Sequence, residues 1–178
     1  MTDESALVQQ FRMPASRKKA FETIVKRYSP VLFHHIARSV ASKEDAEDIL
    51  QSVWIKAWRG LDHFRGECRL STWLFTIATR EVCSKFREKR KVATISLEDK
   101  HEVAQMDGHP MPDAQVIESR LQEAIQELPE KQQQVFIMRY FEEMAYEEMS
   151  SITGTSVGAL KASYHHAVKK IEQKLQPD

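Results

Sequence analysis

Glycine is scarce, with 5 residues in a chain of 178. Turn residues being few, and alanine, leucine, glutamate, glutamine and lysine plentiful, the composition points to an all-helical protein. Cysteine is nearly absent. Cys68 and Cys83 make neither a disulfide framework nor a zinc site, and they read as free thiols in a reducing cytosol. No apolar run reaches the roughly 20 residues that a membrane-crossing helix needs. Met1, Thr2, Asp3, Glu4 and Ser5 lack the basic start and apolar core of a secretion signal. A cytoplasmic protein is expected. The motifs of catalysis are missing too: there is no phosphate loop, no nucleophile elbow, no His-Glu-x-x-His and no paired-cysteine motif. Neither an enzyme nor a cofactor is expected. Net charge is zero, which is not what a stand-alone nucleic-acid binder shows.

What is present is a globular composition, 42% hydrophobic and 29% charged, with its charge segregated. Glu44, Asp45, Glu47 and Asp48 cluster at one helix start. Residues 80–91 are basic through Lys85, Arg87, Lys89, Arg90 and Lys91, residues 98–113 are acidic, and the last helix is basic again. Gly108, Pro110 and Pro112, with few apolar neighbours, mark a flexible linker. The expected organisation is an N-terminal tail over 1–13, a helical domain over 14–91, an acidic linker over 92–113 and a second helical domain over 114–178.

Helical periodicity fills both domains. Phe21, Ile24, Val25, Tyr28, Leu32, Phe33 and Ile36 recur on one stripe, which Pro30 is expected to kink or divide. Ser42 is placed to cap the next helix, with Asp45 three residues on. From there Ala46, Ile49, Leu50, Val53, Trp54, Ala57 and Leu61 form an apolar stripe. Residues 60–66 break it, and Ser71 or Thr72 starts a third helix with Leu74, Ile77, Ala78 and Val82 inward. Glu81 falls near that inward stripe, with Lys85 as its expected partner. His34 and His35 read as surface or boundary residues. Near the C-terminus, a short helix from Tyr146 to Ile152, the turn Thr153-Gly154-Thr155 and a long helix from Ser156 have the dimensions of a helix-turn-helix.

Three surfaces stand out. On the acidic helix, Asp48, Gln51, Ser52, Ile55 and Arg59 lie opposite the core stripe, and an apolar Ile55 beside an acid and an amide is what a protein-docking face carries. The turn Phe64-Arg65-Gly66-Glu67-Cys68-Arg69 leads into a helix whose outward strip is expected to hold Thr72, Thr76, Thr79, Arg80, Cys83, Arg87 and Arg90. Hydroxyls and arginines on one strip suit a phosphate backbone, and such a loop suits an unstacked base. In the last helix Ala159, Ala162, Ser163, His166, Lys169 and Lys170 face away from the core, small at the N-terminal end where a helix enters a major groove. Ser156 caps that end, leaving its amides to meet a phosphate, and Lys161 and Lys169 flank it. His165 and His166 lack an acid or thiol at a matching offset, so no metal site is read there.

Several segments in order resemble one family. Ala20-Phe21, Tyr28, Asp45-Ala46-Glu47-Asp48, Trp58, Phe64-Arg65-Gly66 and Trp73-Leu74 with Ile77-Ala78 stand in the first domain. Leu128-Pro129, Val135-Phe136, Arg139, Tyr146-Glu147-Glu148-Met149 and Ser156-Val157-Gly158-Ala159-Leu160-Lys161 stand in the second. Together they resemble a bacterial RNA polymerase sigma factor of the extracytoplasmic-function group of the sigma-70 family. The resemblance implies a region 2 domain and a region 4 helix-turn-helix domain. It implies docking on core RNA polymerase, its β′ clamp and β flap, through Asp48, Gln51, Ser52, Ile55 and Arg59. It implies reading and opening of a −10 promoter element by Arg65, Gly66, Glu67, Arg69, Thr72, Trp73, Thr76, Arg80 and Arg87. Duplex reading of a −35 element falls to Ser156, Ala159, Lys161, Ala162, Ser163, His166 and Lys169. An anti-sigma factor is the implied regulatory partner, in a stress or envelope response.

The chain departs from the family pattern at Arg80, where Asn is frequent, at Ser84, where Asp is frequent, at Ser163 and His166, which replace basic residues, and at Ala145, where a capping Ser is usual. Taken alone, residues 145–175 also fit an autonomous, dimeric helix-turn-helix repressor.

Overall fold

The computed structural model describes residues 3–95 and 113–176, and every regular element among them is helical. The first unit contains α1 (Asp3–Arg12), α2 (Arg17–Ser39), α3 (Lys43–Gly60), a single 3-10 turn (Leu61–His63) and α4 (Leu70–Ile95). The second contains α5 (Asp113–Gln126), α6 (Glu130–Tyr140), α7 (Tyr146–Thr153) and α8 (Val157–Leu175). Most of the expected linker, 92–113, lies outside the described residues; residues 92–95 continue α4 and Asp113 begins α5. None of the described helices is long and apolar enough to cross a membrane.

The N-terminal residues expected to be a tail form α1, with Leu7, Val8 and Phe11 buried. The pairing of Arg27 with Asp3, and a 2.6 Å hydrogen bond from the Tyr28 hydroxyl to Glu4, fasten it to α2. Burial, and then that bond to Glu4, push the Tyr28 phenol well above its ordinary pKa. Helix α2 runs unbroken through Pro30. The proline sits at an exposed position, while Ile24, Tyr28, Leu32 and Ile36 bury one continuous stripe that both halves of the helix share. Packing of that stripe outweighs one lost amide bond.

Helix α3 starts as its sequence dictates: the Ser42 hydroxyl accepts the Asp45 amide at 3.1 Å. The Asp45 carboxylate turns away to α4, 3.2 Å from Lys85 Nζ and 2.6 Å from Lys89 Nζ. Burial pushes this carboxyl upward, but hydrogen bonds from Lys89, Lys85 and Ser42 outweigh it and hold the pKa below the ordinary value. Lys85 being engaged there, Glu81 pairs instead with Lys56 of α3, which corrects the expected Glu81–Lys85 pair. The α3–α4 contact is thus apolar along its middle and ionic along its edges.

In the second unit Ile125, Phe136, Ile137, Ala167 and Ile171 form the core. Gly154 ends α7 at φ +69, a left-handed position, and Ser156 starts α8 by accepting the Ala159 amide at 3.4 Å. Ala145 leaves α7 without a side-chain cap.

The two units pack on each other. Val135, Met138, Met144, Met149, Ile152 and Leu160 join the apolar cluster built by α2, α3 and α4. His35, expected at the surface, is buried at 1% exposure, edge-on to Phe75 at 5.1 Å between ring centres. Burial, and then Arg38, lower its pKa to about 4, so it is neutral. The C-terminal carbonyls of α2 find their donors in the other unit: Gln122 and Gln126 donate to the Arg38 carbonyl at 3.2 and 3.1 Å, and Gln126 to that of Val40 at 3.0 Å. The Arg38 guanidinium lies 4.1 Å over the Phe141 ring.

The Asp45 linkage has a definite sign. Its folded pKa is depressed, so its contribution is present above the unfolded value of about 3.9 and fades as pH falls through the lower folded value. Asp45→Asn is expected to lose stability at neutral pH and to flatten the acid limb, converging with the parent protein once the pH falls below the folded value. Urea midpoints measured from pH 2 to 7 check this.

Candidate functional site

The first surface is the outer face of α3. Asp48, Gln51, Ile55 and Arg59 are exposed and Ser52 is half-buried, because Ala46, Ile49, Val53 and Ala57 turn the opposite face into the core. Ile55 is 48% exposed. Beside it Phe21, Trp54 and Trp58 line an open apolar cleft bordered by Gln51 and Arg59. The Trp58 ring meets Phe11 at 5.2 Å and Phe21 at 4.9 Å, both edge-on, and the residue remains partly exposed to solvent. Phe21 belongs to α2, and α3 periodicity alone could not have placed it here.

The second surface is the loop before α4 and the helix itself. Arg65, Gly66, Glu67, Cys68 and Arg69 are all exposed. Gly66 takes φ +76 with open space where a Cβ would stand, so the strain of any other residue would come from the backbone. Arg65 and Glu67 approach to 3.7 Å, a solvated pair of little energy. The Trp73 ring is half-buried, 5.3 Å from that of Phe64.

Along α4 the expected outward strip divides. Arg80 and Arg87 are exposed and Thr76 is half-buried. Thr72 and Thr79, expected outward, are buried at 6% and 5%. The Thr72 hydroxyl donates to Glu148 Oε1 of α7 at 2.7 Å, and Gln134 Nε2 of α6 donates to Cys83 Sγ at 3.0 Å. The expectation failed because the covering helices lie far off in the chain, 76 residues from Thr72 in the case of Glu148. Burial raises the pKa of both thiols, Cys83 within this interface and Cys68 in the loop, where Glu67, Glu148 and Glu4 add to it. Neither carries the depressed value of a reactive thiol.

The third surface is α8. Ser156, Ala159, Lys161, Ala162, His166 and Lys169 are exposed and Ser163 is half-buried, opposite the buried Leu160, Ala167 and Ile171. Lys161 Nζ lies 5.6 Å over the Tyr146 ring. Two lysines and four small or hydroxyl side chains share a surface whose upper end carries the first amides of α8. Duplex DNA is the natural counterpart of such a face.

Comparison with known proteins meets this geometry segment by segment. Residues 24–92 match the family model described as Sigma-70 region 2, and residues 118–171 match Sigma-70, region 4. The ECF RNA polymerase sigma-E factor of Haemophilus influenzae is 30% identical over 187 aligned residues, covering 99% of this chain and 97% of that protein. The chain belongs to the extracytoplasmic-function sigma factors of the sigma-70 family. The RNA polymerase sigma-H factor of Pseudomonas aeruginosa is 28% identical, covering 93% of this sigma factor and 91% of its own length. Among solved structures, the sigma factor RpoE in complex with the anti-sigma factor NepR from Bartonella quintana matches with a TM-score of 0.73 at 25% identity, over 90% of this chain and 99% of that one. CnrH in complex with the cytosolic domain of CnrY shares the fold, with a TM-score of 0.71 at 19% identity, over 97% of this chain and 96% of that one.

The contact between α4 and α7 is the checkable feature of this closed form. Glu148→Ala orphans a buried hydroxyl, at a cost of about 1–3 kcal/mol to the packed arrangement. The fraction of molecules with parted units is expected to rise at least about fivefold, seen as a larger radius of gyration in small-angle scattering with helix content unchanged.

Proposed function

We propose that this sigma factor docks on core RNA polymerase through the α3 face, reads and holds open the −10 element with residues 64–69 and α4, and reads the −35 element as duplex with α8. The single observation that supports it best is the α3 face. Asp48, Gln51, Ile55 and Arg59 stand exposed beside the aromatic cleft of Trp54 and Trp58. An autonomous repressor would have no use for that face, so the repressor reading accounts for α7 and α8 alone.

Energetics make the polymerase necessary. Opening about ten base pairs costs roughly 14 kcal/mol at about 1.4 per step, and capturing one or two bases returns about 1–3 kcal/mol each. Geometry makes parting of the units necessary. The two elements lie about 25 base pairs apart, roughly 85 Å at about 3.4 Å per pair. A compact chain of this length has a radius of gyration of about 16 Å. The 17 residues between α4 and α5 span up to about 60 Å when extended. The closed form is therefore read as the state before engagement, with α8 facing outward and Thr72 covered. The sigma factor RpoE was solved in complex with the anti-sigma factor NepR. That supports an anti-sigma factor which binds this chain and releases it in a stress or envelope response, with promoter DNA and core polymerase as the active partners.

The test is capture by bacterial core RNA polymerase coupled to run-off transcription on a pool of promoter fragments. The parent protein is expected to bind and to initiate at defined sites. Asp48→Arg is expected to lower core binding at least about thirtyfold with its unfolding midpoint unchanged within about 0.5 kcal/mol. Normal binding by the folded variant overturns the docking assignment.

A further inference from the structure

A loop that selects bases has to hold one shape, and residues 65–69 have no buried side chain to hold theirs. The fixings lie at the two ends of the loop, and both come from α1. At the entry, Arg12 Nη2 donates to the Phe64 carbonyl at 2.7 Å. At the exit, Glu4 Oε2 accepts the Leu70 amide at 3.0 Å. Leu70 is the first residue of α4, where an amide has no partner within the helix and a carboxylate meets the positive end of its dipole. No residue of the loop performs this capping; the carboxylate arrives from 66 residues away.

Burial of Leu7, Val8 and Phe11 explains why α1 stays on the fold. It does not explain why two of its three charged side chains, Glu4 and Arg12, reach main-chain groups at the ends of one exposed loop, Glu4 with the oxygen that Tyr28 does not use. Residues 3–12 also precede the segment 24–92 that matches region 2, so the family model assigns them nothing.

We infer that α1 is a positioning element for the promoter-reading loop, with Arg12 and Glu4 fixing its two ends and acting on DNA only through it. The inference rests on the −10 role proposed for residues 64–69. Glu4 and Arg12 touch no nucleic acid themselves. Their loss widens the loop's range of shapes and lowers the fraction ready to accept a base, leaving the α3 docking face and the α8 duplex face untouched.

The experiment uses holoenzyme assembled from core polymerase and the full chain. The probe is a single-stranded oligonucleotide carrying the non-template −10 sequence that the parent holoenzyme selects from a random pool. Arg12→Ala, which removes one charge-assisted hydrogen bond, and Glu4→Ala, which removes those from Leu70 and Tyr28, are each expected to weaken capture at least about tenfold. Affinity for core and for −35 duplex should be unchanged, and amide exchange at residues 65–70 faster. Arg12→Lys and Glu4→Gln, which keep a donor and an acceptor, are expected to recover most of the loss. Unchanged capture and exchange in the alanine variants overturn the inference, as does a loss of capture, core binding and thermal stability together, which would make α1 mere packing. Arg65→Ala and Arg69→Ala in the loop separate the two levels. If they weaken capture while the α1 variants do not, the role of α1 fails alone; if they do not weaken it, the reading role of the loop fails.

Discussion

The hydroxyl of Thr72 has one place to donate. In the closed form it donates to Glu148 of α7, and a group so engaged and 6% exposed is closed to a phosphate or a base. Thr79 is buried too, its hydroxyl without a hydrogen-bond partner among the described residues, and the half-buried Cys83 accepts from Gln134 of α6. On the proposed −10 role, one strip of α4 serves two surfaces in turn, and the two uses exclude each other. The rest of the architecture is compatible with that exclusion. Beside the apolar cluster that Val135, Met138, Met149 and Leu160 join, the inter-unit contact has separable polar pieces, among them the glutamine amides on the α2 carbonyls and the Arg38 stack on Phe141. Each is worth about 1 kcal/mol or less net, and each can be exchanged for water or a partner. Within the first unit, α3 and α4 share the same apolar cluster and add the Asp45–Lys85–Lys89 ion pairs.

The parts of this fold legible in advance are those whose signal is local. The stripe from Ala46 to Leu61 has helical period, and Ser42 sits where a cap is needed, so α3 was readable to within a residue. Helices α7 and α8 were readable for the same reason, with Gly154 supplying the left-handed turn between them. Helix α1 was not. Its apolar residues are Leu7, Val8 and Phe11, too few to set a phase, and what fixes it is Glu4, Asp3 and Arg12 reaching residues 24 to 66 positions away. His35 is an intermediate case. It follows Tyr28 and Leu32 at helical spacing and precedes Ser39 by four, all four buried. The phase carried the answer, but the polar character of the residue hid it.

At the site, the same division holds with a functional consequence. The α3 and α8 faces were legible because each is one side of one amphipathic helix. The α4 strip was misjudged because a row of hydroxyls is as suitable for neighbouring helices as for phosphates, and helix geometry cannot say which neighbour is present. Glu81 shows this on a small scale: Lys85 is the near candidate in sequence, but Asp45 claims it and Lys56 takes its place.

Charge neutrality gains a meaning once the ion pairs are placed. The basic run in α4 looks like a phosphate-binding strip, yet Lys85 and Lys89 are turned onto Asp45, while Arg80 and Arg87 face solvent. Each cation withdrawn in this way removes one phosphate contact and the counterion release that goes with it. Sequence-independent attraction to DNA is thereby kept low, and on the proposed reading what remains is recognition that needs the right geometry: a loop held at both ends, a strip uncovered by parting of the units, and α8 against duplex. A neutral chain with segregated charge therefore has little reason to settle on DNA by itself. On the proposed function it does so beside a polymerase that supplies the nonspecific grip and holds the strands apart.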